Sequence, residues 1–216
     1  MTQQGSSAAY MRNGHERVPV VCVGLSSGGL LPLRTIFRKL SPATGMTFVI
    51  IPHLSRTEPT ILPEMLSHWS TMPAQLADPG LTIESNHIYV IPPGQEILVR
   101  DAHFGVRPRS KVRGWSNVIT LFLDSLTEWR KPAGIAVILS GVDHDGAAAL
   151  REFHSKGGIT IAQDPKSANH NDMPLSAIGT GFVDYVLPPE AIATKIEQIA
   201  RDGQDQKGGM QSAGES

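Results

Sequence analysis

The stretch VPVVCVGLSSGGL, residues 18–30, decides the fold. It opens as a short apolar run rich in β-branched residues, Val18 to Val23, and breaks into glycines at Gly24, Gly28 and Gly29. The run reads as a buried strand. Leu30, Leu33, Ile36, Phe37 and Leu40 follow at helical spacing. The same strand-to-helix succession repeats along the chain. Thr47–Ile51 is a second buried strand, stopped by Pro52, and Pro59–Trp69 a helix with Pro59 suited to its first turn. His87–Ile91 is a strand closed by Pro92-Pro93-Gly94. Glu96–Arg100 and His103–Arg107 form a hairpin around Asp101-Ala102. Asn117–Trp129 is a helix, and Gly134–Leu139 a central strand. Asp145–Lys156 is a helix ended by Gly157-Gly158, and Ile159–Ala162 a strand. Met173–Thr180 is a short helix, Val183–Leu187 the last strand and Pro188–Arg201 a closing helix.

Strands alternating with helices of this length predict an α/β fold: a doubly wound, mostly parallel, Rossmann-like sheet with helices on both faces, plus one small antiparallel hairpin. Residues 1–17 and 203–216 are polar and aperiodic, so they read as mobile arms around one domain at 18–202. A length of 216 residues, 40% hydrophobic, suits one sizeable core. The formal net charge of −1 gives no reason to expect nucleic-acid binding. The single cysteine, Cys22, excludes an internal disulfide framework and fits a reducing compartment. No apolar run approaches the ~20 residues a membrane span needs, and the N-terminus lacks the apolar core of a secretory signal. A cytoplasmic location without membrane insertion is expected.

In a doubly wound sheet, ligands bind outside the carboxyl ends of the strands, so chemistry is sought there. After the first strand, Gly24-Leu25-Ser26-Ser27-Gly28 satisfies the G-x-S-x-G pattern of a nucleophile elbow. It equally suits a phosphate-binding turn, or a plain Gly-rich turn with Ser27 capping the helix. After the second strand stands His53, either a general base or a hydrogen-bonded structural histidine. After the central strand, Asp143 and Asp145 sit at the mouth of a loop feeding a helix. Asp145 is either an N-cap or the carboxylate that accepts from the histidine Nδ1–H. A serine needs a base, and the base an orienting group. One candidate of each type leaves the same sheet edge, in the order Ser26, His53, Asp145. An α/β-hydrolase order would instead pair Asp145 with a late histidine, His170. No metal-ligand spacing, dinucleotide fingerprint or P-loop is present, so no cofactor is expected.

Six segments then carry a family resemblance: GLSSGG at 24–29, PHL at 52–54, YVIPPG at 89–94, ILSGVDHDGAAAL at 138–150, GGITIAQDPKSA at 157–168 and DMPLSAI at 172–178. Over about residues 18–200 the chain resembles the catalytic domain of the CheB-type chemotaxis protein-glutamate methylesterases. The resemblance implies a Ser26–His53–Asp145 triad that hydrolyses glutamate γ-methyl esters on the cytoplasmic domain of a chemoreceptor, releasing methanol. It also implies glutamine deamidation. Ser27, Val142 and Met173 fall at positions implied for the oxyanion or substrate. The alternatives are an esterase of the same chemistry on a substrate outside chemotaxis, and a regulatory module of low turnover.

Two segments depart from the family pattern. Where the family often has Met-Gly-Asn before its aspartate, this chain has Val142-Asp143-His144, and His144 stands out as a competing partner for Asp145. Trp115–Ile119 replaces another family segment near the site. With only residues 1–17 ahead of the first strand, no receiver domain is expected. Arg100, Arg107, Arg109, Lys111 and Arg113 suggest a docking surface for an acidic helix bundle.

Overall fold

The computed structural model describes residues 18–53, 57–109, 117–129, 131 and 134–212. The elements run β1 (Val20–Leu25), α1 (Leu30–Lys39), β2 (Thr47–Pro52), α2 (Leu62–Trp69), β3 (Ala74–Leu76), β4 (Ile88–Val90), β5 (Gln95–Arg100), β6 (His103–Pro108) and α3 (Val118–Trp129). They continue with β7 (Ile135–Ile138), α4 (Leu150–Ser155), β8 (Ile159–Gln163), α5 (Asp172–Gly179), β9 (Tyr185–Leu187) and α6 (Pro189–Ser212). Seven strands make one sheet in the order β3-β4-β2-β1-β7-β8-β9. Every pairing in it is parallel. Strands β5 and β6 form the separate antiparallel hairpin. The doubly wound α/β architecture read from the sequence is the one found.

The central strands are apolar on both faces because both faces are covered. Alternate residues of each strand enter opposite cores. Val20, Cys22, Val49, Ile51, Ala136 and Ile138 join the core that contains Phe122 and Leu126 of α3 and Phe104 of the hairpin. Val21, Val23, Phe48, Ile50, Ile135 and Val137 join the other, with Leu33 and Phe37 of α1, Leu66 of α2 and Ile196 of α6. From β1 the chain winds outward to β2, β4 and β3. The hairpin and α3 then return it to the opposite side of β1, where β7 begins the second half. The winding therefore reverses between β1 and β7, which makes their carboxyl ends the expected crevice.

Local differences have local causes. Pro63, not Pro59, occupies the first turn of α2. Strand β3, an edge of three residues, escaped the sequence reading because so short a segment has no periodicity to detect. The helix expected from Asp145 begins later. Gly146 has φ +89, which no α-helix tolerates, and a 3-10 turn at Ala147–Ala149 precedes α4. Helix α6 runs on to Ser212, through a stretch expected to be an irregular arm. The Gln204 amide donates to the Thr44 carbonyl at 3.3 Å and extends the docked length of that helix. The arm expected at residues 1–17 lies outside the described residues, as do Lys111, Arg113, Trp115 and Ser116. Among the described residues, no helix is long and apolar enough to cross a membrane.

The approach of α3 to β1 leaves no room at Gly24. A Cβ there would stand 2.7 Å from Ile119 Cδ1 and 2.9 Å from Ile119 Cγ2. Gly24→Ala is expected to cost about 1–3 kcal/mol by overpacking. Urea unfolding of the variant against wild type measures it, and a loss below ~0.5 kcal/mol would mean that α3 can give way freely.

Candidate active site

The sheet ladder extends one rung beyond the strands and so fixes the site. The His53 N–H donates to the Leu25 carbonyl at 3.0 Å, and the Ser26 N–H to the Ser140 carbonyl at 2.9 Å. Ser26, His53 and the Ser140–Asp145 loop thus leave three adjacent parallel strands at one edge. Ser140 is fully buried and ties the turns together. Its Oγ accepts from the His170 N–H at 3.0 Å and reaches the carbonyls of Ser27 (3.0 Å) and His170 (2.9 Å). Its own N–H donates to Gln163 Oε1 at 2.9 Å. Sequence reading passed over Ser140, since a lone serine after a strand carries no pattern.

Ser26 and His53 line one cleft of about 570 Å³ with Leu30, Leu31, Ile61 and Met65. Three of these apolar side chains stand on its rim: Leu30 is 48%, Leu31 55% and Ile61 69% exposed. Among the described residues Ser26 Oγ makes no hydrogen bond. The turn it sits on leads into α1, whose N-cap is Gly29 with no side-chain cap, so the Ser27 hydroxyl does not serve that helix. Ser27 is exposed, and Val142 is 40% exposed. Neither of their N–H groups donates to another described residue. Met173 is buried and does not line the cleft. Its sulfur lies under Gly141, where a Cβ would come within 2.0 Å of it, and its N–H donates to the Gly141 carbonyl at 3.2 Å.

Asp145 is buried at the head of α3. Its Oδ1 accepts from the Thr120 N–H (2.9 Å), the Thr120 hydroxyl (2.8 Å) and the Gly146 N–H (2.8 Å). Its Oδ2 accepts from the Ile119 N–H at 2.9 Å and meets His53 Nε2 at 2.9 Å. It is a helix cap, but for α3 rather than for the helix that follows it in sequence. The first turn of a helix presents unpaired N–H groups and a positive dipole end, and a carboxylate satisfies both.

The contact with His53 is through Nε2, not the Nδ1 that the sequence reading expected. Nδ1 is taken by Asp143 Oδ2 in a close ion pair. Asp143 is itself buried, and its Oδ1 accepts from the Asp145 N–H at 2.9 Å. His144, singled out as the competitor, turns away: its Nδ1 bonds Ser176 Oγ. The competitor is the next residue back. Asp143 stands two residues before Asp145 at the mouth of the same loop, which is the signal that could have found it. His170 lies against the elbow, with Cδ2 3.3 Å from where a Gly28 Cβ would be, but Asp145 is bonded to His53 and not to it.

The electrostatics follow from this enclosure. Burial alone would lower the His53 pKa, but hydrogen bonds and charge from Asp143 and Asp145 outweigh it and raise the value from 6.5 to about 9. Burial pushes the Asp143 carboxyl up, and the hydrogen bonds from His53 and the Asp145 N–H more than offset it, holding the group below the usual carboxylate range. Burial, followed by the Asp145 charge, pushes the Cys22 thiol well up, so it stays protonated and inert. Of the basic cluster, Arg107 Nε donates to the buried Glu96 carboxylate at 2.9 Å and is engaged within the hairpin.

Because the folded pKa of His53 lies above its unfolded value, protonation favours the fold. That contribution is complete below pH 6.5 and vanishes as pH rises through about 9. Thermal unfolding from pH 6 to 10 should show wild type losing this increment and His53→Gln lacking it; parallel curves would refute the ion pair. Asp145→Ala strands two helix N–H groups and should cost about 2–3 kcal/mol in urea unfolding.

Residues 21–196 match the family model described as CheB methylesterase. The protein-glutamate methylesterase/protein-glutamine glutaminase of the group 3 operon of Rhizobium meliloti (strain 1021) is 30% identical over 95% of this chain and 59% of its own length. The protein-glutamate methylesterase/protein-glutamine glutaminase of Geobacillus kaustophilus (strain HTA426) is 29% identical over 83% of this chain. This chain spans only 53% of the Geobacillus protein. A Leptospira interrogans relative, 29% identical, is matched over 97% of its length. The crystal structure of the Thermotoga maritima CheB methylesterase catalytic domain superposes with a TM-score of 0.78 at 26% identity, over 85% of this chain and 99% of that one.

Proposed function

The chain belongs to the CheB methylesterase family, and from that premise we propose that it hydrolyses glutamate γ-methyl esters of a chemoreceptor's cytoplasmic domain through Ser26, His53 and Asp145. One observation carries this reading. Ser26 and His53 line the same cleft from adjacent strand ends while His53 Nε2 is bonded to Asp145 at 2.9 Å. Of the two ring nitrogens, Nδ1 is then the one to take the serine proton, once its contact with Asp143 is open.

In the proposed reaction, Ser26 Oγ attacks the ester carbonyl carbon and its proton passes to His53 Nδ1. The carbonyl oxygen becomes an oxyanion, for which the Val142 and Ser27 N–H groups are the candidate donors. Collapse breaks the C–O bond, and His53 returns the proton to the departing methoxide, giving methanol. Water then adds to the acyl-serine as His53 takes its proton; that proton goes back to Ser26 Oγ on collapse, leaving a glutamate carboxylate. With a glutamine side chain the same sequence releases ammonia. Asp145 keeps the ring oriented and balances the imidazolium that forms in each half-reaction. Met173 acts from below by setting the height of the Gly141 turn.

The apolar rim of Leu30, Leu31 and Ile61 supports a protein substrate, since exposed apolar side chains grouped at a cleft mark a recognition surface. A receptor helix bundle that presents a neutral ester side chain suits such a rim. Location in the cytoplasm follows from the same reading.

Ser26→Ala should reduce methanol release from purified methylated receptor by at least about 10³-fold, with the circular dichroism and melting point of wild type. Turnover within tenfold of wild type would exclude Ser26 as nucleophile. Faster turnover of small acyl esters than of methylated receptor would move the substrate outside chemotaxis.

A further inference from the structure

We infer that Asp143 is a positioning residue that clamps His53 Nδ1 away from Ser26, so that the base is held in reserve until this contact is released. The inference rests on the esterase reading above, but its core is a statement about ring geometry. An imidazole has two nitrogens. Asp145 occupies Nε2 and Asp143 occupies Nδ1. With a carboxylate on each nitrogen the ring donates twice, which only the imidazolium can do. An imidazolium has no lone pair for the serine proton. Consistently, Ser26 Oγ has no hydrogen-bond partner among the described residues.

The surroundings strengthen the clamp. The two carboxylates are rigid: Asp145 is held by four donors at the head of α3, and Asp143 by the Asp145 N–H. The His53 side chain is 12% exposed, so water screens the pair little. Among the described residues, the other ionisable groups around the site do not offset it. Against its burial, Asp143 is held low chiefly by the hydrogen bonds from His53 and the Asp145 N–H, with His144, on the same loop, a smaller contributor. Cys22, from β1, is protonated and neutral. Glu58, which lines the same cleft, is a further carboxylate. The raised His53 pKa of about 9 is the expected outcome of this enclosure. The pair of carboxylates thus favours the protonated ring at neutral pH. Asp143 stands where the resemblance places glycine, a residue that could make no such contact.

To release the base, the Nδ1 proton leaves to solvent and the ring contact with Asp143 breaks; Nδ1 then presents its lone pair to Ser26. No other reactant is required.

The test is a pair of variants. Asp143→Asn keeps the Oδ1 that shapes the loop, and Asp143→Gly removes the side chain. The His53 ring nitrogens are titrated by ¹H–¹⁵N correlation spectroscopy on the full chain. The titration midpoint should fall by at least one pH unit in both variants, and in Asp143→Gly the Nδ1 signal should show an unprotonated nitrogen at pH 8. In the same proteins the acid limb of kcat/KM for methylated receptor should move down by the same amount, with about a tenfold gain at pH 7. An unshifted midpoint would overturn the clamp. A shifted midpoint with kcat/KM at pH 7 unchanged or lower would show that Asp143 assists the base, and would overturn the reserve. A shifted midpoint with no turnover in wild type or in either variant would leave the clamp standing and remove the esterase reading instead.

Discussion

The carboxylate of Asp145, buried against the open N-terminus of α3, is the constraint from which the site grows. A charged oxygen pair in the interior needs donors, and α3 has N–H groups in need of acceptors. Each solves the other's problem. The union fixes the start of α3, holds the loop after β7 against it, and leaves one lone pair of Oδ2 directed at His53. Remove the carboxylate and the helix loses its cap while the imidazole loses its orientation. The same carboxylate therefore caps α3 and orients the imidazole, although the sequence pointed to a cap on the helix that follows it.

That arrangement is possible only because the sheet is rigid where it must be. Both faces of β1, β2 and β7 are packed to near-zero exposure. Their ladders run one rung past the strands, which ties down the backbones of Ser26 and His53. The reversal of winding between β1 and β7 opens the crevice at that spot. The α3 helix can reach it because Gly24 carries no side chain to keep Ile119 away. Packing on one face of the sheet thus sets the position of a carboxylate at its end.

A second carboxylate changes the balance. One acid beside a histidine steadies the imidazolium formed in transit. Two acids, one on each nitrogen, make that ion the resting form. The proposed nucleophile is then poised beside a base that is already full. In physical terms the chain trades readiness at neutral pH for a well-defined resting geometry, and a single side chain, Asp143, carries the difference.

Much of this was legible in the linear sequence. The β-branched runs, the 3.6-residue spacing of Leu33, Ile36 and Phe37, and the glycines at strand ends announce a doubly wound sheet, because burial on two faces and sharp turns demand those residue types wherever they occur. The same logic placed Ser26, His53 and Asp145 at one edge. Three things were not legible. Strand β3 is too short for a pattern. The cap on α3 comes from 25 residues further along, so no local motif contains it. The pairing of each imidazole nitrogen depends on how a ring from β2 is rotated between two residues of a loop from β7. Composition and periodicity report which groups are present and which way a segment faces. Which oxygen meets which nitrogen is settled only when distant segments are packed together, because hydrogen bonds act over ~3 Å and sequence spacing carries no information at that scale.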